Sequence, residues 1–575
     1  MLRLFCFFFM IKTFEAFTIV AHLRHHNEDM LEAMFWKVSD PACAYISFVL
    51  DAPRRPLHTK PPPTPLSADE YLHFRTVSDL AAIIGSPAAD ITAVISWLRE
   101  AGGASIEVSP LRDAVSAVFS DGSHRFVLGA NGIPVVDAMR PAAVRFLVRR
   151  DAASVSAAAQ PRRRPPNVAS VSNPTVSEIK SAYGIPLDFT ASNPLTTNMV
   201  WGPGTFGYSP RDLAAFAQQQ APLIALDKVL FDTPNHGVPG GDNFGEGQLD
   251  VKMITSFGLN ATTLVSNTNT SASTEETTGF GVALLDFAAE LSARPAVPHV
   301  LSMSLGSLSA ASCDLLCSEV SKMGFSVAEC NAYMATQRQV CMFNGTEQTA
   351  RINTYLQVLG LRGVTVMGSS GDGGSHFSFT KFTGGAIANA LNEVSCRFQV
   401  PVFPTASPFV LSIGAEMWDG SSKDPVTWNV NNMYGSGGGF SLQFPAPAHQ
   451  QAAVSAYLSK AGMPPPASFN ASNRAYPDVA AIGVDGTSQS CPIWAGVLSL
   501  ITDMRLNKGL PPLGFVAPRI YQVAAMHPGE AFLDITRGNS GTSCANGFPA
   551  AEGWDANTGF GRPVWTGLVR YFASD

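Results

Sequence analysis

The spacing of apolar and polar positions changes period several times along the 575 residues, and each change marks a different kind of element. Short β-rich runs at Phe17–Ala21, Ala114–Phe119 and Arg125–Leu128 predict strands. Between them, Val77–Ile84 and Ala88–Ala101 predict helices. Up to Ser154 the chain therefore has an α+β pattern. Further on, the glycine-rich Phe244-Gly245-Glu246-Gly247 enters a helix with Leu249, Met253 and Ile254 on its apolar side. Val364–Met367 is a β-rich run ending in a Gly/Ser loop, and Ile493–Asn507 is apolar with a helical period, Pro492 fitting an early helical position. Met1–Ile11 is short and apolar with one arginine but no clear A-x-A site, so residues 1–16 read as a signal-like segment. No other run reaches the length of a membrane span.

Length and composition narrow the picture. A chain of this size predicts two folded units with connectors. Charged residues make up only 14% and the net charge is −7, and no basic domain or aromatic RNA signature is present, which excludes a nucleic-acid partner. Pro53–Pro65 includes three consecutive prolines and reads as an insertion, while Gln160–Asn167 is a proline-rich polar linker after which order resumes near Pro174. There are nine cysteines. Cys313, Cys317, Cys330 and Cys341 lack a clean C-x-x-C pair, which favours two local disulfides over zinc; Cys396 and Cys544 are a candidate longer bridge, and Cys491 reads as a buried small hydrophobe. Asn260, Asn269, Asn344 and Asn470 begin N-x-[ST] sequons, which agrees with a secretory route.

The run Gly486-Thr487-Ser488-Gln489-Ser490-Cys491-Pro492 offers a serine at the mouth of a helix, where free amides can hold a developing oxyanion. The same run is also what an ordinary serine N-cap looks like. A nucleophilic serine needs a base, itself oriented by a third group. Histidine is the usual base, yet His236-Gly237-Val238 lacks the context of a triad, as do His299, His376, His449 and His527. Glu246 and Asp250 are four apart, on one helical face. Two such acids can share a proton and serve as base and orienting group, or simply suit a helix N-terminus. Asp372 follows the Val364–Met367 run, where a parallel sheet places its reactive groups. Kept neutral it can donate to an oxyanion, although S-G-D-G is equally a turn.

Glu246, Asp250, Asp372 and Ser488, in that order and in those contexts, resemble the catalytic set of the sedolisins, the serine-carboxyl peptidases, on their tripeptide-releasing branch. The likeness continues through Val297–Gly306, Phe403–Val410, Gly437–Ser441, Phe469–Ala480 and Pro511–Phe515 to the C-terminus. It implies an α/β fold with a subtilisin-like, mostly parallel sheet flanked by helices over 174–575. It implies as well a propeptide domain over 17–154, with the insertion near 44–66, and an activation linker over 155–173. On this resemblance Ser488 is the nucleophile, Glu246 the general base and acid, Asp250 its orienting partner and Asp372 the oxyanion-stabilising acid. Calcium would be held by the Asp534 and Asp555 carboxylates and by main-chain oxygens of Ile535, Ala551 and Gly553, a hard-oxygen set suited to Ca²⁺. The implied activity is acid-phase release of tripeptides from free N-termini of peptides or unfolded proteins, with the propeptide as intramolecular inhibitor, in a lysosome, a vacuole or outside the cell.

Two departures bear on that activity. Ala481–Asp485 is shorter than the family's approach to the nucleophile turn, and Ser304-Leu305-Gly306-Ser307 lacks acids that the branch uses toward a free N-terminus. An endopeptidase and a catalytically silent secreted homologue are the alternatives. An α/β-hydrolase elbow would need glycine where Ser490 stands.

Overall fold

The computed structural model describes residues 17–22, 74–85, 88–100, 104–119, 123–128 and 134–140 and then, from 173 to 574, all but 205, 233–244, 269–278, 337–340, 342, 344, 378–381, 421 and 461. The signal-like segment, the proline-rich insertion, residues 155–172 of the linker, His236, Asn269 and Asn344 lie outside the described residues.

The described chain divides into two compact units. In the first, strands β1 (Phe17–His22), β2 (Ala104–Val108), β3 (Ala114–Phe119), β4 (Ser123–Leu128) and β5 (Pro134–Arg140) form one sheet in the order β2-β3-β1-β4-β5. Only the β1–β4 pairing is parallel. Helices α1 (Val77–Ile84) and α2 (Ala88–Glu100) precede β2. Thr76 caps α1 in a reciprocal capping box with Asp79, and Leu80, Ile84, Ile91, Val94 and Leu98 are buried at helical spacing. The predicted strands and helices of this region all appear among the described residues.

The second unit is built on a parallel sheet. Its strands are β6 (Thr197–Pro203), β7 (Val229–Phe231), β8 (Thr262–Thr268), β9 (Val300–Met303), β11 (Thr365–Ser369), β13 (Leu411–Trp418) and β19 (Val479–Ile482), with β14 (Pro425–Thr427) antiparallel on β13. The parallel order runs β7-β8-β6-β9-β11-β13-β19. Short two-stranded ribbons pair β10 (Ser307–Leu308) with β12 (Val402–Phe403), β15 (Asn429–Val430) with β16 (Tyr434–Gly435) and β17 (Gly439–Pro445) with β18 (Asn473–Tyr476). The expected α/β class is the class observed. Strands β9, β11 and β13 are buried along almost their whole length, as continuous apolar runs covered on both faces require.

Helix α3 (Val176–Tyr183) opens this unit, and helices α4 (Gly245–Phe257) and α7 (Thr487–Asn507) carry its chemistry, with α5 (Ala310–Ser321) and α6 (Val327–Met334) lying between them in sequence. α7 packs along α4 and over β9, β11, β13 and β19. The α4–α7 approach is close because Gly496 faces Gly258, where an added Cβ would lie 2.6 Å from the Gly258 amide nitrogen.

α7 opens at the Ser488 turn, as the sequence expects, but Pro492 lies deeper in it than an early helical position. The helix begins at Thr487, so Pro492 is an interior helical residue rather than a first-turn one. Because the helix starts five residues earlier than Pro492, Ser488 lies inside its first turn.

The cysteines pair as Cys313–Cys341, Cys317–Cys330 and Cys396–Cys544, and Cys491 is free and buried. Cys317–Cys330 staples α5 to α6, and Cys313–Cys341 ties α5 to the segment after α6. Among the described residues no helix is long and apolar enough to cross a membrane.

Candidate active site

Three loops leave the carboxyl ends of β9, β11 and β19, and β9 and β11 are neighbours in the sheet. The site predicted at that edge is assembled there from four short segments. Ser304 follows β9, Asp372 follows β11, and Ser488 stands in the first turn of α7 after β19. Glu246 and Asp250 come from the first two turns of α4.

The approach to Ser488 is short but closed. The Gly483 amide donates to the Glu416 carbonyl at 2.9 Å and the Gly486 amide to the Gly483 carbonyl at 2.9 Å, while the Ser490 hydroxyl reaches back to the carbonyls of Ala481 and Ile482 at 3.0 and 3.1 Å. This turn needs glycine at 486. Its φ is +98°, and a Cβ there would stand 2.6 Å from Asp372 Oδ2.

Asp372 is held by the residue before the serine. Its Oδ1 accepts from the Thr487 amide and from Thr487 Oγ1, both at 2.9 Å, and Thr487 Oγ1 in turn accepts from the Gly371 amide at 3.1 Å. The aspartate is thus fixed against the first turn of α7.

Ser488 is 8% exposed. Its hydroxyl donates to the Ser304 carbonyl at 3.3 Å, and Ser369 Oγ donates to that same carbonyl at 2.8 Å. The Ser304 hydroxyl donates to Asp250 Oδ1 at 2.7 Å and lies 3.3 Å from the Ser488 carbonyl. Asp250 is fully buried, and its Oδ2 has no hydrogen-bond partner among the described residues. Burial raises its pKa well above the usual carboxyl range, the Glu246 charge raises it further, and the Ser304 hydrogen bond pulls it back in part. An acid so placed keeps its proton where an exposed aspartate has lost it.

The structure therefore brings Asp250, Ser488 and Asp372 to one edge of the sheet, with Glu246 close enough to bias Asp250. Among the described residues no histidine bonds to Ser488. His299 faces Thr197, His376 bonds to the carbonyls of Ser395, Phe398 and Asn546, His449 packs on Tyr521 and His527 on Tyr571. Sequence reasoning missed Thr487 and Ser304 as members of the site. A serine just past the end of a predicted strand, and a threonine beside the nucleophile, were the available signals.

A second cluster lies in the C-terminal loops. Asp555 is buried, with Oδ2 accepting from the Ala551 amide at 3.0 Å and Oδ1 from the amides of Asn557 and Thr558, both at 2.9 Å. Asp534 Oδ2 accepts from the Gly553 amide at 2.6 Å, and its Oδ1 is buried with no partner. Burial pushes the Asp555 carboxyl up to about 7, and the Asp534 charge contributes to that rise. The carbonyls of Ile535, Ala551 and Gly553 accept no hydrogen bond among the described residues. Two acids that repel one another, an orphaned carboxylate oxygen and three open carbonyls form a donor set that fits a hard cation. Glycine at 553 permits φ +82° there.

No family model matches the chain. Tripeptidyl-peptidase 1 of Canis lupus familiaris is 29% identical over 97% of this chain and 91% of its own length. Tripeptidyl-peptidase 1 of Bos taurus is 40% identical over 242 residues, an alignment spanning 38% of this chain and 39% of that protein. Physarolisin of Physarum polycephalum is 35% identical over 269 residues, 39% of this chain and 44% of that protein. Among solved structures, Pseudomonas sedolisin, a serine-carboxyl proteinase complexed with pseudo-iodotyrostatin, aligns over 69% of this chain and 97% of its own at 20% identity and a TM-score of 0.47. Along nearly its whole length the chain is similar to tripeptidyl-peptidase 1, and over about two fifths of it to physarolisin, which is the sedolisin likeness read in the sequence.

Proposed function

We propose that the chain is an acid-active serine-type peptidase, made as a zymogen, that releases tripeptides from free N-termini of polypeptides. The observation that carries this reading is the continuous set of contacts from Asp250 through Ser304 to Ser488, beside a Thr487-held Asp372 and, among the described residues, without a histidine on the serine.

In the proposed reaction the Ser488 hydroxyl leaves the Ser304 carbonyl and passes its proton to Glu246 as Oγ attacks the substrate carbonyl. Asp250 shares a proton with Glu246 and orients it. Protonated Asp372 and the helix-mouth amides donate to the oxyanion. Glu246 then gives its proton to the departing amine, leaving an acyl-serine, takes one from the water that attacks that ester, and returns it to Ser488 Oγ as the peptide acid leaves. A histidine of pKa near 6.5 would already be protonated at pH about 4 to 5, whereas a coupled carboxylate pair still accepts.

Residues 17–154 serve in this reading as the propeptide and intramolecular inhibitor, cut away within 155–173. Calcium held by Asp534, Asp555 and the carbonyls of Ile535, Ala551 and Gly553 supplies positive charge that fixes two C-terminal loops. The disulfides suit an oxidising compartment, and an acid optimum suits a lysosomal or vacuolar destination, or secretion into an acidic medium.

The test incubates the purified chain at acidic pH with N-terminally free and N-terminally blocked peptides, beside Ser488→Ala. Tripeptides released only from free N-termini, a bell-shaped acidic profile and loss of at least about 10³-fold in kcat in Ser488→Ala are expected. An optimum near pH 8, or full activity in Glu246→Gln, would sink the mechanism. Cleavage of the blocked peptide would favour the endopeptidase reading, for which the absence of acids in Ser304-Leu305-Gly306 speaks.

A further inference from the structure

Pro492 has a consequence for the nucleophile that reaches beyond its own turn of helix. In an uninterrupted helix the amide of residue 492 would donate to the Ser488 carbonyl, but proline has no N–H to give. That carbonyl faces the Ser304 hydroxyl at 3.3 Å instead. The same hydroxyl lies 2.7 Å from Asp250 Oδ1, and the Ser304 carbonyl accepts from Ser488 Oγ. Ser304 is 5% exposed, so solvent does not compete freely for these contacts.

We propose that Ser304 is a positioning residue that ties the Asp250 carboxyl to the backbone of the Ser488 turn and passes the protonation state of the one to the other. The proposal rests on reading Ser488 and the Glu246–Asp250 pair as the reacting groups.

A hydroxyl has one hydrogen and two lone pairs, so it cannot donate fully to both neighbours. With Asp250 ionised, the Ser304 hydrogen points to the carboxylate and the Ser488 carbonyl is weakly served. With Asp250 protonated, the acid can donate to Ser304 Oγ, and the Ser304 hydrogen turns to the Ser488 carbonyl. No bond other than these hydrogen bonds changes. Among the described residues the ionisable groups facing Asp250 are Glu246 on its own helix and the Cys491 thiol on α7, which burial pushes up to about 12 and so keeps neutral. Ser304 reaches it from the end of β9.

Ser304→Ala in the acid-processed full chain should lower kcat about 10- to 100-fold, as misplacement of reacting groups does, with KM within about twofold. Loss of the donor also raises the Asp250 pKa, so the acid limb of the kcat profile should move to higher pH. Ser304→Thr, which keeps the hydroxyl, should restore the position of that limb. A wild-type kcat with an unmoved acid limb would overturn the proposal, as would a kcat loss that leaves the limb in place. A second readout does not need turnover: the ¹³C-carboxyl NMR titration of Asp250 in Ser488→Ala, with and without Ser304→Ala. A higher midpoint in the double variant supports the tie, and equal midpoints refute it. Turnover persisting in Ser488→Ala would remove the peptidase reading and leave this titration to decide the role of Ser304.

Discussion

Asp250 and Asp478 are both fully buried in the second unit, yet they are partnered in opposite ways. Asp478, next to β19, has both oxygens occupied. Oδ2 accepts from Arg474 Nη2 at 2.6 Å and the Ser412 amide at 2.8 Å, and Oδ1 from Tyr521 Oη at 3.1 Å and Gln450 Nε2 at 3.2 Å. Arg474 is itself buried and spreads its remaining donors over the carbonyls of Ser407, Ala475 and Val410. Among the described residues Asp250 has one donor, Ser304, one oxygen without a partner, and a like charge beside it. A buried carboxylate with every lone pair used is framework, while one left partly unsatisfied retains the capacity to take or share a proton. The contrast separates the acid that holds β13 and β19 together from the acid that can do chemistry.

The strongest way to break that contrast is to neutralise each in turn. Asp478→Ala leaves the Arg474 charge buried without its partner, and a loss of about 3 to 5 kcal/mol in unfolding free energy is expected, read as a lower urea midpoint. Asp250→Asn removes a charge that burial already disfavours, so the midpoint should hold or rise while kcat falls about 10²- to 10⁴-fold. If Asp250→Asn unfolded the protein as readily as Asp478→Ala, the two acids would share one structural role.

A third buried acid lies between these extremes. Glu416 on β13 accepts from Tyr183 Oη at 3.0 Å and lies 3.7 Å from Arg562, while Tyr183 Oη accepts from the Ile482 amide at 2.7 Å. Burial raises Glu416 to about 7 although Arg562 and Tyr183 oppose the rise. Below about pH 4.5 it is neutral folded and unfolded, and it costs nothing. As pH climbs from 4.5 to 7 the unfolded chain gives up this proton and the folded one keeps it, so stability falls by as much as about 3 kcal/mol and then levels. Urea midpoints at pH 4.5 and 7.5 should differ in that sense, and Glu416→Gln should flatten the difference. A larger stability at pH 7.5 in the wild type would contradict the arrangement.

These acids also show where sequence was informative. Glu246 and Asp250 were legible because a four-residue spacing on a helix is a local property, and Asp372 because it follows a β-rich run that a parallel sheet must end. The strands at 17–22, 114–119 and 123–128 and the helices α1 and α2 were legible from apolar spacing alone. Ser304, Thr487 and Asp478 were not, because their importance comes from contacts with Asp250, Asp372 and Ser412 across 54, 115 and 66 residues of chain. The helix mouth at Ser488 was legible too, but the depth of Pro492 inside α7 was not. Pro492 reads as a helix opener by propensity, but Ser304 relieves the Ser488 carbonyl that the proline strands, and burial of the whole segment from Thr487 to Asp503 outweighs the missing bond. The sequons divide by environment too: Asn470 is exposed, whereas the Asn260 amide donates to the Ala191 carbonyl at 2.6 Å.

The smallest expected effect sharpens the comparison at the other end of the unit. Asp534 and Asp555, like Glu246 and Asp250, are two acids whose charges oppose each other, but open carbonyls stand near them in place of a serine. A cation can satisfy the first pair, whereas a shared proton suits the second. A bound calcium at about 100 times its Kd would add about 2.7 kcal/mol to stability, which for a unit this large is a rise in Tm of a few degrees. EDTA should therefore lower Tm at pH 7 and do so less at pH 4.5, where protons compete for the carboxylates. Asp555→Asn should abolish the EDTA effect, while Asp250→Asn should leave it intact. Equal Tm with and without chelator at both pH values would make the Asp534–Asp555 cluster a hydrogen-bonded turn with no ion, closer to Asp478 than to a metal site.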